Sequence, residues 1–120
     1  MIYMGIDGST TSTGVAVFNN HNLIFYECIA PKAHDWEQRL SEMTSRLNSI
    51  VGEFHPSYIV MEDVPLKKGT QTIKKLSAVR GVVIALCALN KIRLEIDTVS
   101  TWRKNAGFFD GTREGLKRNI

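Results

Sequence analysis

Hydrophobic periodicity switches repeatedly along the 120 residues, and the order of those switches constrains the fold more than any other feature of the chain. Residues 2–7 alternate, with Ile2, Met4 and Ile6 on one side and Tyr3, Gly5 and Asp7 on the other, as a strand requires. Gly8-Ser-Thr-Thr-Ser-Thr-Gly14 is a turn-forming cluster, Val15–Phe18 resumes a strand, Asn19–Asn22 breaks it, and Leu23–Ile29 gives a third strand. Links this short make the three an antiparallel meander. The period then changes to steps of three and four through Trp36, Leu40, Met43, Leu47, Ile50 and Phe54, the stripe of an amphipathic helix. Asp35 is placed as its N-cap with Gln38 as capping-box partner, and Gly52 and Pro56 mark its exit. Tyr58–Met61 is a short continuous apolar run, expected for a strand buried on both faces. A second helix is expected from about Gln71 to Asn90, with a stripe of Ile73, Leu76, Val79, Val83, Leu86 and Leu89 and with Lys74 and Lys75 off it. Its second half is apolar almost all round, so it is expected to be buried or to meet another chain. Ile92–Ile96 alternates as a last strand.

The resulting order, three strands and then helix, strand, helix, strand, predicts an α/β fold. Its mixed five-stranded sheet has three antiparallel strands followed by two parallel ones, with helices on both faces. At 120 residues this is one domain, and 43% hydrophobic residues are enough to give it a core. Thr112 is placed as the cap of a final helix over Thr112–Ile120. That segment carries one apolar pair, Leu116 and Ile120, and no Gly or Pro stop, so the domain is expected to be truncated at its C-terminal end.

The longest apolar run near a helix, Val82 to Leu89, is far short of the roughly 20 residues that span a bilayer, and no membrane association is expected. Two cysteines, Cys28 and Cys87, in apolar surroundings are too few for a disulfide scaffold or a zinc site. A reduced, cytoplasmic chain is expected. The net charge of +3 conceals a division. Residues 1–63 hold three Lys/Arg against eight Asp/Glu, a balance of −5, whereas residues 64–120 hold twelve against four, a balance of +8. A basic half beside an acidic half suits a polyanionic partner met by a site that needs carboxylates. The same division also fits two solvated faces.

Two strands end in carboxylates, the first in Asp7 and the fourth in Glu62. In an open sheet the carboxyl ends of strands beside the switch point hold the ligand. If the fourth strand lies beside the first, Asp7 and Glu62 reach one divalent cation, and hard oxygen ligands select Mg²⁺ or Mn²⁺. Asp7 alone also fits a strand-end turn residue, but a carboxylate closing a buried strand is costly without a partner. Asp63 is read as pointing to the opposite face, and Asp97, which ends the fifth strand, as a cap or turn residue and a lesser ligand candidate. Lys67, Lys68, Lys74, Lys75, Arg103 and Lys104 flank the carboxylate ends and are placed to neutralise phosphates. Lys74 and Lys75 sit near a helix N-terminus, where the helix dipole disfavours cations, and this misplacement favours a nucleic-acid role. Trp102 is a candidate for stacking on bases, Phe108 and Phe109 fit a core edge, and the three histidines have no ligand spacing.

These residues match a known pattern. Met4-Gly-Ile-Asp-Gly-Ser with Thr13-Gly-Val-Ala-Val17 resembles the first motif of the RNase H-like superfamily, and Ile59-Val-Met-Glu62 its second carboxylate strand. Leu76–Ile84, with its Arg-Gly pair, resembles the helix of RuvC-type Holliday-junction resolvases. Val99-Ser-Thr-Trp-Arg-Lys104 with Gly107 is similar to the segment after the fifth strand in phage members. The resemblance implies a Mg²⁺- or Mn²⁺-dependent endonuclease that resolves four-way DNA junctions. It implies a homodimer packed through the helix around Leu76–Leu89, with Asp7 and Glu62 as metal ligands. The family's remaining acidic pair, on a last helix, has no match here, which puts turnover by this form in doubt. The alternatives are a branched-DNA-binding module without catalysis and an RNA-processing nuclease of the YqgF type. An actin-like phosphotransferase shares the first motif but needs a second lobe of similar size.

Overall fold

A computed structural model describes residues 1–8, 12–62 and 69–97. It contains β1 (Ile2–Gly8), β2 (Thr13–Asn19), β3 (Asn22–Ile29), α1 (Trp36–Phe54), β4 (Tyr58–Glu62), α2 (Thr70–Asn90) and β5 (Arg93–Asp97). The five strands form one sheet in the order β3-β2-β1-β4-β5. β1 pairs antiparallel with β2, and β2 with β3. β4 lies parallel to both β1 and β5. This is the mixed sheet expected from the periodicity. The final helix placed at Thr112–Ile120 lies outside the described residues.

Both described helices pack on the same face of the sheet, and the third expected helix, which would bear on the other face, is not among the described residues. Met4 and Ile6 of β1, Val15 and Val17 of β2, and Ile59 and Met61 of β4 supply the sheet side of the core. Met43, Leu47, Ile50 and Val51 of α1 and Val79, Val83, Leu86 and Cys87 of α2 supply the helix side. Burying each such side chain contributes about 1.5–3 kcal/mol, so this layer dominates the stability of the fold. Because strand side chains alternate, the same pairing turns Tyr3, Gly5, Asp7, Tyr58, Val60 and Glu62 to the second face. There the rings of Tyr58, Tyr3 and Phe18 stack across three strands at centroid separations of 5.2 and 5.1 Å. Burial, reinforced by the neighbouring Tyr58, pushes the Tyr3 hydroxyl up to about 12.

Several local expectations shift. β4 is not buried on both faces: only Ile59 and Met61 are buried, while Tyr58, Val60 and Glu62 are half-buried. Its apolar run comes from the stacked Tyr58 and from Val60, not from a second buried layer. Gly52 does not end α1. The chain leaves the helix at His55, which takes the left-handed conformation (φ 48°) while its N–H donates to the Val51 carbonyl. On α2, Leu89 is 81% exposed and Cys87 takes the core position. Cys28 is exposed, not in apolar surroundings, and both cysteines are free. Thr13 is buried, and its hydroxyl donates to the Met43 sulfur at 3.2 Å, fastening the β1–β2 end of the sheet to α1.

Candidate active site

The placement of the two carboxylates follows from strand register. The β1–β4 ladder aligns Met4 with Ile59 and Ile6 with Met61. Asp7 and Glu62 are the next residues on each strand, so they are neighbours on adjacent parallel strands, about 4.8 Å apart along the sheet. Parallel neighbours in register point to the same face, so both carboxylates leave the sheet on the side away from the helices. Each is half-buried. The burial alternation along β1 and β4 explains the arrangement: isoleucine and methionine enter the core, and the intervening positions, ending in the acids, do not. The adjacency of the first and fourth strands, on which the sequence expectation for Asp7 and Glu62 depends, is observed.

Asp97 extends the row. Glu62 is directly opposite Asp97 in the β4–β5 ladder, so Asp7, Glu62 and Asp97 occupy one line across three strands. Asp97 is two strand spacings from Asp7, roughly 9–10 Å, with β4 and Glu62 between them. Among the described residues, no three His, Cys, Asp or Glu side chains lie close enough together to form a metal-binding group. Asp7 and Glu62 are the two carboxylates that the β1–β4 register sets on neighbouring strands. This suits magnesium, which is commonly held by one or two carboxylates with water and substrate phosphates completing its shell.

The candidate phosphate contacts divide. α2 starts directly after the segment that leaves Glu62, so its N-terminal turns belong to the same end of the sheet. Lys74, in its second turn, is exposed. Lys75 is half-buried, and its ammonium lies 5.3 Å from the centre of the Trp36 ring, at the start of α1. Lys67, Lys68, Arg103 and Lys104 lie outside the described residues, as do Asp63, Trp102, Phe108 and Phe109. The Trp36–Lys75 contact was not legible in sequence. Trp36 appears there only as the first residue of an apolar stripe, and the contact requires the relative placement of two helices.

With the fold and the paired carboxylates in view, comparison with known proteins is decisive. A family model described as crossover junction endodeoxyribonuclease RuvC matches residues 3–106. The chain belongs to the RuvC family. It is 30% identical over 89 residues to a crossover junction endodeoxyribonuclease RuvC of Citrifermentans bemidjiense, covering 70% of this chain and 54% of that protein. The chain thus spans about half the length of the curated relatives it matches. Among solved structures, Thermus thermophilus RuvC in complex with a Holliday junction substrate superposes with a TM-score of 0.73 at 16% identity, covering 80% of this chain and 63% of that one. A ROK hexokinase from Thermus thermophilus shares the fold more loosely, with a TM-score of 0.58 at 15% identity, covering 96% of this chain but 39% of that one. At such identities the superpositions establish the fold, and RuvC membership rests on the sequence match. No described helix is long and apolar enough to cross a membrane.

Proposed function

We propose that this chain is a structure-selective endodeoxyribonuclease that binds four-way DNA junctions and hydrolyses a phosphodiester bond, with Asp7 and Glu62 holding Mg²⁺ or Mn²⁺. The observation that carries the reading is the register of β1 and β4, which sets the two acids side by side in a chain of the RuvC family. A divalent cation bound there supplies positive charge that polarises the phosphodiester and stabilises the charge developing on it. The chain's own residues do the rest. Asp7 and Glu62 provide hard oxygen donors at the carboxyl ends of two central strands, where pairing on both sides holds each backbone. Lys74, in the second turn of α2, offsets the charge of the DNA backbone; Lys67, Lys68, Arg103 and Lys104 are further candidates from the sequence.

The finer parts of the reading draw on further features. A homodimer formed through α2 is supported by the apolar surface of its second half, where Ile84 is 44% and Leu89 81% exposed. A phage kind of resolvase, working in the cytoplasm of a bacterial host, is suggested by the Ser/Thr-rich first turn and the Lys67-Lys68-Gly69-Thr70 connector. A second reading is junction binding without cleavage, which the sequence suggests because the family's further acidic pair has no match in it.

The test is nicking of a labelled four-way junction in Mg²⁺ or Mn²⁺ by the wild type and by Asp7→Asn and Glu62→Gln. Cleavage by the wild type alone, with junction binding kept by all three, is the expected result. Undiminished nicking by either variant rejects the site. Tight junction binding with no cleavage in either metal selects the second reading, and preference for structured RNA over the junction selects an RNA-processing nuclease.

A further inference from the structure

The adjacent lysines of α2 carry the same charge but have different surroundings. Lys74 is exposed. The Lys75 ammonium lies 5.3 Å from the ring centre of Trp36, within the range of a cation–π contact, and Trp36 itself packs against the core. The start of α2 needs such a hold. Its N-cap is Gly69, which offers no side-chain hydrogen bond, and no acidic residue occupies its first turn. Two cations in the second turn then oppose the helix dipole. α1 has the reverse arrangement: Asp35 accepts from the Gln38 N–H at 3.2 Å and Glu37 sits in the first turn. Trp36 is thus the first residue of a well-anchored helix, and through Lys75 it fastens the beginning of a poorly anchored one.

We propose that Trp36 and Lys75 are positioning residues of the nucleic-acid site. Their contact fixes the first turns of α2 at the end of the sheet that carries Asp7 and Glu62 and withdraws Lys75 from direct phosphate contact, which leaves that role to Lys74. This rests on the proposed function, because it concerns how that site meets DNA. Each phosphate contact contributes about −0.9 to the slope of log affinity against log salt. A lysine that touches phosphate and one that only positions a helix therefore differ in slope, even where both alter affinity.

The experiment measures junction affinity of the whole chain across a salt series, by fluorescence anisotropy in Ca²⁺. Lys74→Gln should flatten the slope by about one. Lys75→Gln and Trp36→Ala should each weaken binding about two- to five-fold, the share of competent protein lost with the contact, and leave the slope unchanged. The double variant should be no weaker than either single one, and Trp36→Phe, which keeps a ring face, should recover most of the affinity. Thermal melts of the same proteins confirm that each is folded. A slope flattened by about one in Lys75→Gln, or additive losses in the double variant, overturns this inference alone. Wild-type affinity that does not depend on salt overturns the functional reading beneath it.

Discussion

The two helices cover one face of one sheet, yet they are specified in different ways. α1 carries a clear apolar stripe and a side-chain N-cap. It has an ion pair to the sheet, in which Arg46 donates to both carboxylate oxygens of Glu27 at 2.7 Å. The approach to it is braced by Arg39, which donates to the carbonyls of Pro31 and Ala33. α2 lacks a side-chain cap, is basic in its second turn, and exposes Ile84 and Leu89. α1 is determined by interactions within the domain. Lys75 apart, which contacts Trp36, these features of α2 are ones through which a polyanion or a second subunit would act. Conflict between local preference and fold tends to mark function, and here it falls on the element that leads away from Glu62.

The largest expected effect separates chemistry from folding. Asp7→Asn and Glu62→Gln should reduce junction cleavage by about 100-fold or more, since a bound cation is worth several kcal/mol to the transition state. Asp97→Asn should reduce it less, because Asp97 stands one strand further from Asp7 than Glu62 does. Melting temperatures of all three should stay close to wild type, as the acids lie off the core face. An Asp97 variant as inactive as the other two would extend the site across three strands.

Next in size is a contrast in packing. Leu47 of α1 is fully buried, and Leu47→Ala should cost about 2–5 kcal/mol in urea unfolding. Leu89 of α2, largely exposed, should change stability by no more than about 0.5 kcal/mol when replaced by alanine. Leu89→Glu should instead shift sedimentation toward the monomer if α2 is the dimer contact. Equal stability losses at the two leucines would mean that α2 is integrated into the domain as fully as α1.

The sequence made much of this legible, and unevenly so. Element order and strand type followed from periodicity, because burial on one face imposes a period of two on β1 and of three to four on α1. The pairing of Asp7 with Glu62 could be expected because both end strands that meet at the switch point. The side of the sheet chosen by α2 could not, since a helix apolar nearly all round does not announce which face it buries. Nor could the exit of α1: Gly52 looked like the stop, yet His55 accepts the left-handed conformation and Gly52 stays helical. The fate of Lys75 was hidden for a similar reason. Its position in α2 is local information, but the ring beneath it comes from a helix 39 positions earlier in the chain.

A smaller effect sharpens the contrast in capping. Asp35→Ala should cost about 1 kcal/mol, through loss of the bond to the Gln38 N–H. At Gly69 a side chain would meet nothing within 4 Å among the described residues, and the backbone is already extended, so Gly69→Asp should be accommodated. It should stabilise α2 by a few tenths of a kcal/mol, as carboxylate caps do relative to glycine. The same variant should weaken junction binding, because it adds a negative charge to the end of α2 that carries Lys74. Gain in stability with loss of affinity would show that α2 leaves its N-terminus uncapped for the benefit of a ligand. Gain in both would place the DNA elsewhere.

The smallest effect concerns the ion pair that marks α1 as an internally determined helix. The Arg46 guanidinium, by hydrogen bonding to Glu27, holds that carboxyl below its usual 4.5. A carboxyl lowered in the folded state contributes stability that is present in full above about 4.5 and is lost as pH falls through the lowered folded value. Glu27→Gln should therefore be less stable than wild type at pH 7, and the difference should shrink toward pH 3. Both partners reach solvent, with side chains 40% and 30% exposed, so water and salt screen the pair and the difference should also narrow in 1 M NaCl. A difference that survives both acid and salt would show that Arg46 and Glu27 hold α1 to β3 by packing their aliphatic stems, and that α1 owes its placement to shape more than to charge.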